Sequence, residues 1–434
     1  MSKKLYIEPQ NPLTGEATLP GDKSISHRAL LLNAIATGSA TIKGIFLSKD
    51  VRSTMTALQT LGTKIFFNQD GTLQVEADSF REPKYPLDCG NSGTTFRILL
   101  GILATEPFHS TLFGDQSLCE RPMGRLTSPL RKFGVQVDGR DGGNKPPISL
   151  RGIEQMPFFS YEMPMASAQV KTALMLMGLR GNGAHILGGK NSRDHTERML
   201  QRMGAKIDVS GGDVRIWPSN IRAIDMDVPG DFSSAAFLII AALIVPESHI
   251  QLRNVNLNPT RTGFLNVLLR MGAHIEIENE RNNSGEPVGD IRVRYSELKA
   301  TEVTPKEVPA LIDEIPLFAV AALFAEGESK VFGAKELRYK ESDRIRAISH
   351  TLIAMGASIV EREDGFSIRG AQTLMGAKVS SFHDHRIAMA TAVAALRARS
   401  PTEIFDSDCI GISFPQFPWL VKKLGGEICH IGAK

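Results

Sequence analysis

The chain has 434 residues, 42% hydrophobic and 22% charged, with a formal net charge of +3. That length carries two or three domains with full cores, and both fractions are ordinary for a globular chain. The near-neutral balance supplies no broad basic field for nucleic acid, so any anion site must be built from local charge.

The opening MSKKLYIEPQ holds no apolar stretch of the signal-peptide kind, so the expected location is the cytosol. LYIEP predicts a first strand. LPGDKSISHRALLLNAIATG then opens a helix with Lys23, Ser24, Ser26 and Arg28 in its first turns. Ser24 or Ser26 is expected to cap it. Cations are unfavourable at the positive end of a helix unless an anion is held there.

From this point one unit recurs six times. A helix apolar nearly all round is followed by a strand, an amphipathic helix, a glycine and a second strand. The apolar helices read SHRALLLNAIATG, TTFRILLGILATE, SAQVKTALMLMGL, SSAAFLIIAALIV, EIPLFAVAALFAE and HRIAMATAVAAL. Their all-round apolarity predicts burial. The longest apolar run, AAFLIIAALIVP, is too short to cross a bilayer. The glycines are Gly62, Gly134, Gly204, Gly272, Gly356 and Gly425, at intervals of 72, 70, 68, 84 and 69 residues. Each suits a left-handed cap that turns the chain into a strand. The long interval carries the polar insertion NERNNSGEPVGD.

Three units of roughly 70 residues make a domain of normal size. The predicted fold is α/β, with two similar domains of buried helices inside surrounding sheets. The boundary falls near AIDMDVPGDFSS, giving domains 1–21 plus 230–434, and 22–229. The first strand is expected to pair with the last half, and a ligand is expected in the cleft between halves.

Loops leading into the buried helices are rich in Gly, Ser and Thr: GDKSISHR, CGNSGTTFR, MPMASAQVK and GDFSS. Those leading into the amphipathic helices are charged: LSKDVRS, GDQSLCERPMGR, GKNSRDHTER, NPTRTG and ELRYKESDRIR. Closing the repeats on one another would gather Lys23, Arg28, Arg121, Arg193, Lys340, Arg344 and Arg386 with the carboxylates Asp313, Glu314 and Glu341. Cations that outnumber carboxylates suit an anionic substrate and a few acid–base groups. Singly, KESDRIR reads as a solvated salt-bridged helix, IDEIP as an acidic first turn and GNSGTT as a turn. HDHR lacks a third metal ligand and reads as a cap, so no metal is expected. GDKS fails the glycine spacing of a phosphate loop, and no GxGxxG follows a strand. Cys89, Cys119, Cys409 and Cys429 form no CxxC pair and read as free thiols.

Together LPGDKSISHRALLL, GNSGTTFRILLG, GDQSLCERPMGRL, SAQVKTALMLMGL, SRDHTERML, GDFSSAAF, IDEIPLFAVAALFA, ELRYKESDRI, DHRIAMA and SFPQF resemble, in order, the 5-enolpyruvylshikimate-3-phosphate synthases. The resemblance implies two domains of three βαβαββ units each. It implies transfer of an enolpyruvyl group from phosphoenolpyruvate to the 5-hydroxyl of shikimate 3-phosphate, releasing phosphate, on the route to chorismate and aromatic amino acids. No cofactor is implied. The partners are the two small substrates, with no nucleic acid and no membrane, and the chain is expected to be a monomer.

By the same resemblance, Lys23, Ser24, Arg28, Ser167, Gln169, Arg193, Asp313 and Lys340 hold shikimate 3-phosphate. Lys23, Gly93, Thr94, Arg121, Gln169, Arg344 and Arg386 hold phosphoenolpyruvate, and a side chain at Gly93 would crowd it. Asp313, Glu341 and Lys23 move protons. Ser167-Ala168, Glu336 and GISFP, with Ile412 ahead of Ser413, resemble the second class of the family. A sister family, the UDP-N-acetylglucosamine enolpyruvyl transferases, resembles the chain less, because Ser24 and Gln116 stand where that family has Asn and Cys. A non-catalytic anion-binding protein on this scaffold would not need Asp313 or Glu341. An RNA-processing enzyme of related repeats would want basic charge and aromatic platforms that are lacking.

Overall fold

The computed structural model describes residues 4–9, 11–190 and 192–431. The chain divides into two compact units. One comprises Met1–Pro20, Pro229–Asn282 and Pro287–Lys434; the other comprises Gly21–Val228 and Asn283–Glu286. The turn 283–286 belongs to the polar insertion, and Glu286 Oε1 lies 2.8 Å from His195 Nδ1 with both side chains buried.

Each unit has three buried helices. In the second unit they are Lys23–Ala34, Gly93–Leu103 and Ala168–Arg180. In the first they are Phe232–Ile244, Ile315–Phe324 and His385–Ala395. Every residue of Phe232–Ile244 is buried, as an all-round apolar sequence requires. The amphipathic helices lie over this core with one face inward. Lys49–Thr60, for example, buries Val51, Thr54, Ala57 and Leu58. All six glycines of the repeat have positive φ, between 84° at Gly272 and 112° at Gly62, as the left-handed cap demands.

Among the described residues, six four-stranded sheets accompany the helices. In one, Leu87–Asp88, His109–Phe113, Lys145–Arg151 and Gln136–Gly139 lie in that order, the first pair parallel and the rest antiparallel. Each of the other five also has a parallel pair at one edge. Strands are lent across the repeats within each unit. Met226–Asp227 pairs with Ser39–Lys43, and Thr14–Thr18 pairs with His249–Asn256. Lys4–Glu8 lies between Thr402–Phe405 and Glu427–Ile431, antiparallel to both. The sixth repeat therefore takes its central strand from the chain's beginning. Among the described residues, no helix is long and apolar enough to cross a membrane.

Candidate active site

Within each unit the candidate residues lie at the N-termini of buried helices and in the segments that lead into the amphipathic ones. In the second unit, the Lys23 helix is capped by Asp22, whose carboxylate accepts the Ile25 N–H at 2.9 Å. This corrects the expectation that Ser24 or Ser26 caps it. The helix starts at Lys23, two residues earlier than a cap at Ser24 would allow, and an anion outcompetes a hydroxyl at the positive end. The serines are thereby released: Ser24 Oγ accepts from Arg193 Nη1 at 3.2 Å and Ser26 Oγ from the Phe46 N–H at 3.3 Å.

Lys23 Nζ bonds Asp50 Oδ2 at 3.0 Å, and its side chain is 27% exposed. Arg28 is buried: it donates to Thr196 Oγ1 at 2.7 Å, Thr172 Oγ1 at 3.1 Å and the Ser24 carbonyl at 3.1 Å. Burial pushes its guanidinium down to about 10, with Glu197 opposing and Arg193 adding to the shift. It stays cationic at neutral pH. Glu197 itself pairs with buried Lys171 at 2.5 Å.

The Gly93 helix is capped by Ser92 Oγ, 3.1 Å from the Thr95 N–H. Thr95 continues a buried hydroxyl chain through Thr54 to His27 Nδ1, with spacings of 2.6 and 2.7 Å. That chain ties the Gly93, Lys49 and Lys23 helices together behind the candidate residues. Burial, and then the Lys23 and Arg28 charges, hold His27 well below the ordinary histidine range.

Gly93 and Thr94 sit under two arginines. Arg97 Nη1 donates to Gln169 Oε1 at 2.7 Å, and Gln169 Nε2 donates to Thr94 Oγ1 at 2.9 Å. Arg121 donates to Asn91 Oδ1 at 2.6 Å and Ser117 Oγ at 3.3 Å. A Cβ at Gly93 would lie 2.7 Å from Arg97 Nη1 and 3.7 Å from Arg121 Nη1. Ser167 caps the Ala168 helix, its Oγ accepting the Val170 N–H at 3.5 Å.

In the first unit, Asp313 is the hub. It lies in the short 3-10 turn Ile312–Glu314 ahead of the Ile315 helix. Arg344 and Lys340 face Oδ1 at 3.4 and 4.0 Å, while Arg386 and Arg261 face Oδ2 at 3.8 and 3.9 Å. KESDRIR is not a solvated helix: Lys335–Tyr339 is a 3-10 turn, the helix begins at Arg344, and the Arg344 side chain is only 2% exposed. Its guanidinium meets Glu341 Oε2 at 2.6 Å and Asp384 Oδ2 at 2.8 Å. Burial works against its charge, but Asp384, Glu341 and Asp313 outweigh that and raise its pKa above the ordinary value. Asp384 also caps the His385 helix, accepting the Arg386 N–H at 2.9 Å and Ser342 Oγ at 3.0 Å.

Around this hub Arg261, Lys340, Arg344 and Arg386 meet Asp231, Asp313, Glu314, Glu341 and Asp384. The expected excess of cations does not hold for this group. Four cations meet five carboxylates here, so anionic ligands would compete with the chain's own carboxylates.

Sequence reasoning passed over Asp50, Arg97, Arg261 and Asp384, although LSKDVRS, GTTFR, NPTRTG and DHR contain them. Cys119, half-buried, places Sγ 3.3 Å from the Gly114 carbonyl.

Comparison with known proteins adds to this geometry. The sequence profile described as EPSP synthase (3-phosphoshikimate 1-carboxyvinyltransferase) matches residues 7–420. A 3-phosphoshikimate 1-carboxyvinyltransferase of Syntrophomonas wolfei is 48% identical over 412 residues, covering 94% of this chain and 96% of its own. One from Magnetococcus marinus is 47% identical over 424 residues, covering 96% and 95%. The solved EPSP synthase of Acinetobacter baumannii superposes with a TM-score of 0.89 at 36% identity, over 99% of this chain and 100% of that one.

Proposed function

The chain belongs to the EPSP synthase family, and on that premise we propose how its side chains divide the work. It transfers the enolpyruvyl group of phosphoenolpyruvate to the 5-hydroxyl of shikimate 3-phosphate and releases phosphate. We take the two compact units as its two domains. A cytoplasmic monomer completes the reading.

The observation that carries it is the sharing of Arg344 by two partly exposed carboxylates, Asp313 at 3.4 Å and Glu341 at 2.6 Å. The reaction removes a proton from the hydroxyl, adds one to the methylene carbon and takes one back on elimination. Asp313 accepts the hydroxyl proton. Glu341, with Lys23, exchanges the carbon-bound proton. Positioned acid–base groups of this kind are worth ~10²–10⁴-fold in rate.

Lys23, Ser24, Arg28, Ser167, Gln169, Arg193 and Lys340 hold shikimate 3-phosphate. Lys23, Gly93, Thr94, Arg121, Gln169, Arg344 and Arg386 hold phosphoenolpyruvate. The cations are preorganised by internal partners. Lys23 exchanges Asp50, and Arg344 loosens Glu341, as substrate anions arrive, so binding frees the acid–base carboxylate where it is needed. The cationic surroundings also stabilise charge that develops in the tetrahedral intermediate.

Phosphate release is measured with phosphoenolpyruvate alone, with shikimate 3-phosphate added, and with UDP-N-acetylglucosamine added. Release that depends on shikimate 3-phosphate is expected. Release with the UDP-sugar, or with neither acceptor favoured, would refute the reading.

A further inference from the structure

Two buried polar residues lie next to the hub without facing it. Ser233, in the first turn of the Phe232 helix, donates from Oγ to Glu314 Oε1 at 2.5 Å. The same Oγ accepts from Arg261 Nη2 at 2.5 Å. Glu314 Oε1 is 3.5 Å from Arg386 Nη1. Arg386 Nη1 also donates to the Asp313 carbonyl at 3.0 Å, and Arg386 Nη2 reaches Asp313 Oδ2 at 3.8 Å. Arg261 Nη1 reaches that same Oδ2 at 3.9 Å. The contacts close a loop: Asp313 Oδ2, Arg386, Glu314, Ser233, Arg261, and back to Asp313 Oδ2.

We propose that Ser233 and Glu314 are positioning residues that hold Arg261 and Arg386 on either side of Asp313 and so fix the orientation of its carboxylate. The proposal rests on the reading of Asp313 as the proton acceptor.

Three points support it. Glu314 is 0% exposed, so it cannot itself touch substrate. Its Oε2 is buried without a hydrogen-bond partner among the described residues. A carboxylate kept half-satisfied in the interior is costly and gives little net stability, which points to a role in geometry. The loop also converges on Asp313, at its Oδ2 and its backbone carbonyl. Arg386 and Arg261 bracket Oδ2 at ion-pair distances of 3.8 and 3.9 Å, while Arg344 and Lys340 face Oδ1. A carboxylate with cations set around both oxygens cannot rotate about its terminal torsion without giving up that arrangement. Misplacement by an ångström is expensive in catalysis even when binding survives.

Ser233 is the sensitive test because Ser233→Ala removes one hydroxyl and no charge. The experiment compares Ser233→Ala, Glu314→Gln, their double variant, Ser233→Thr and Asp313→Asn. Turnover is read by phosphate release and shikimate 3-phosphate affinity by titration calorimetry. In both single variants kcat is expected to fall about tenfold while the Kd for shikimate 3-phosphate changes less than about threefold. The double variant should be no worse than the worse single, because both break the same loop. Ser233→Thr, which keeps the hydroxyl, should recover most of kcat.

Near-normal kcat in Ser233→Ala beside an inactive Asp313→Asn overturns the proposal and leaves the reading of Asp313 intact. Losses that multiply in the double variant also overturn it. An active Asp313→Asn overturns the assignment underneath. Should Glu314→Gln fail to fold, the split between kcat and Kd in the two Ser233 variants decides the matter.

Discussion

Replacing Asp384 by Asn isolates the strongest internal partner of Arg344. The carboxylate is fully buried and bonds the guanidinium twice, at 2.8 Å to Nε and 3.4 Å to Nη2. Breaking a buried ion pair from one side costs ~3–5 kcal/mol. Asn keeps an oxygen for the helix cap, and Arg344 keeps Glu341 and Asp313, so the expected cost is about 2–3 kcal/mol. At ~2–4 °C per kcal/mol for a folding unit of this size, melting of the first unit should drop by about 4–12 °C. The pH dependence is more discriminating. Burial opposes ionisation of Asp384, but the Arg344 charge prevails and holds its carboxyl below the ordinary range. A carboxyl depressed in the fold adds stability above its unfolded value of about 3.9, and that stability is lost as pH falls through the folded value. The gap in melting temperature between wild type and Asp384→Asn should therefore be flat from pH 8 to about 5 and close below about 4. Calorimetric scans across that range check it. A gap under about 2 °C at pH 7, or one that widens in acid, would refute the reasoning.

Glu341→Gln should lower turnover ~10²–10⁴-fold while shikimate 3-phosphate still binds by calorimetry; near-normal turnover would remove Glu341 from proton transfer. Gly93→Ala places a Cβ 2.7 Å from Arg97 Nη1 and should push that guanidinium off Gln169. The KM for phosphoenolpyruvate is then expected to rise about five- to thirty-fold, read from steady-state kinetics, and an unchanged KM would show that the arginine yields at no cost. His27 is held neutral by burial, so the unfolded chain takes up a proton below about pH 6.5 that the fold refuses. Wild-type stability should therefore fall between pH 7 and 5, and His27→Gln should reduce that decline by up to ~1.4 kcal/mol per pH unit in urea unfolding. Parallel curves for the two proteins would contradict it.

The repeats were legible because helix period, all-round apolarity and a recurring glycine are local signals. Six glycines at positive φ and six four-stranded sheets follow from them. The counter-charges were not legible, because each is set by packing between distant segments. Asp50 meets Lys23 across 27 positions, Asp384 meets Arg344 across 40, and Ser233 meets Glu314 across 81. Local rules misread the same places. A serine-rich helix start suggested a serine cap, yet the aspartate ahead of it took the role. KESDRIR looked solvated because neither Asp313 nor Asp384 is near it in sequence, and those two carboxylates, with Glu341 from the segment itself, are what allow Arg344 to be buried.

The strand Lys4–Glu8 sits between Thr402–Phe405 and Glu427–Ile431. During synthesis Lys4–Glu8 thus stays without a sheet partner until Thr402–Phe405 has been made. Residues 21–228 emerge together and can collapse early, lacking only the turn 283–286. The other unit must wait for Thr402–Phe405 and Glu427–Ile431, so removing Lys4–Glu8 or Glu427–Ile431 opens the same sheet.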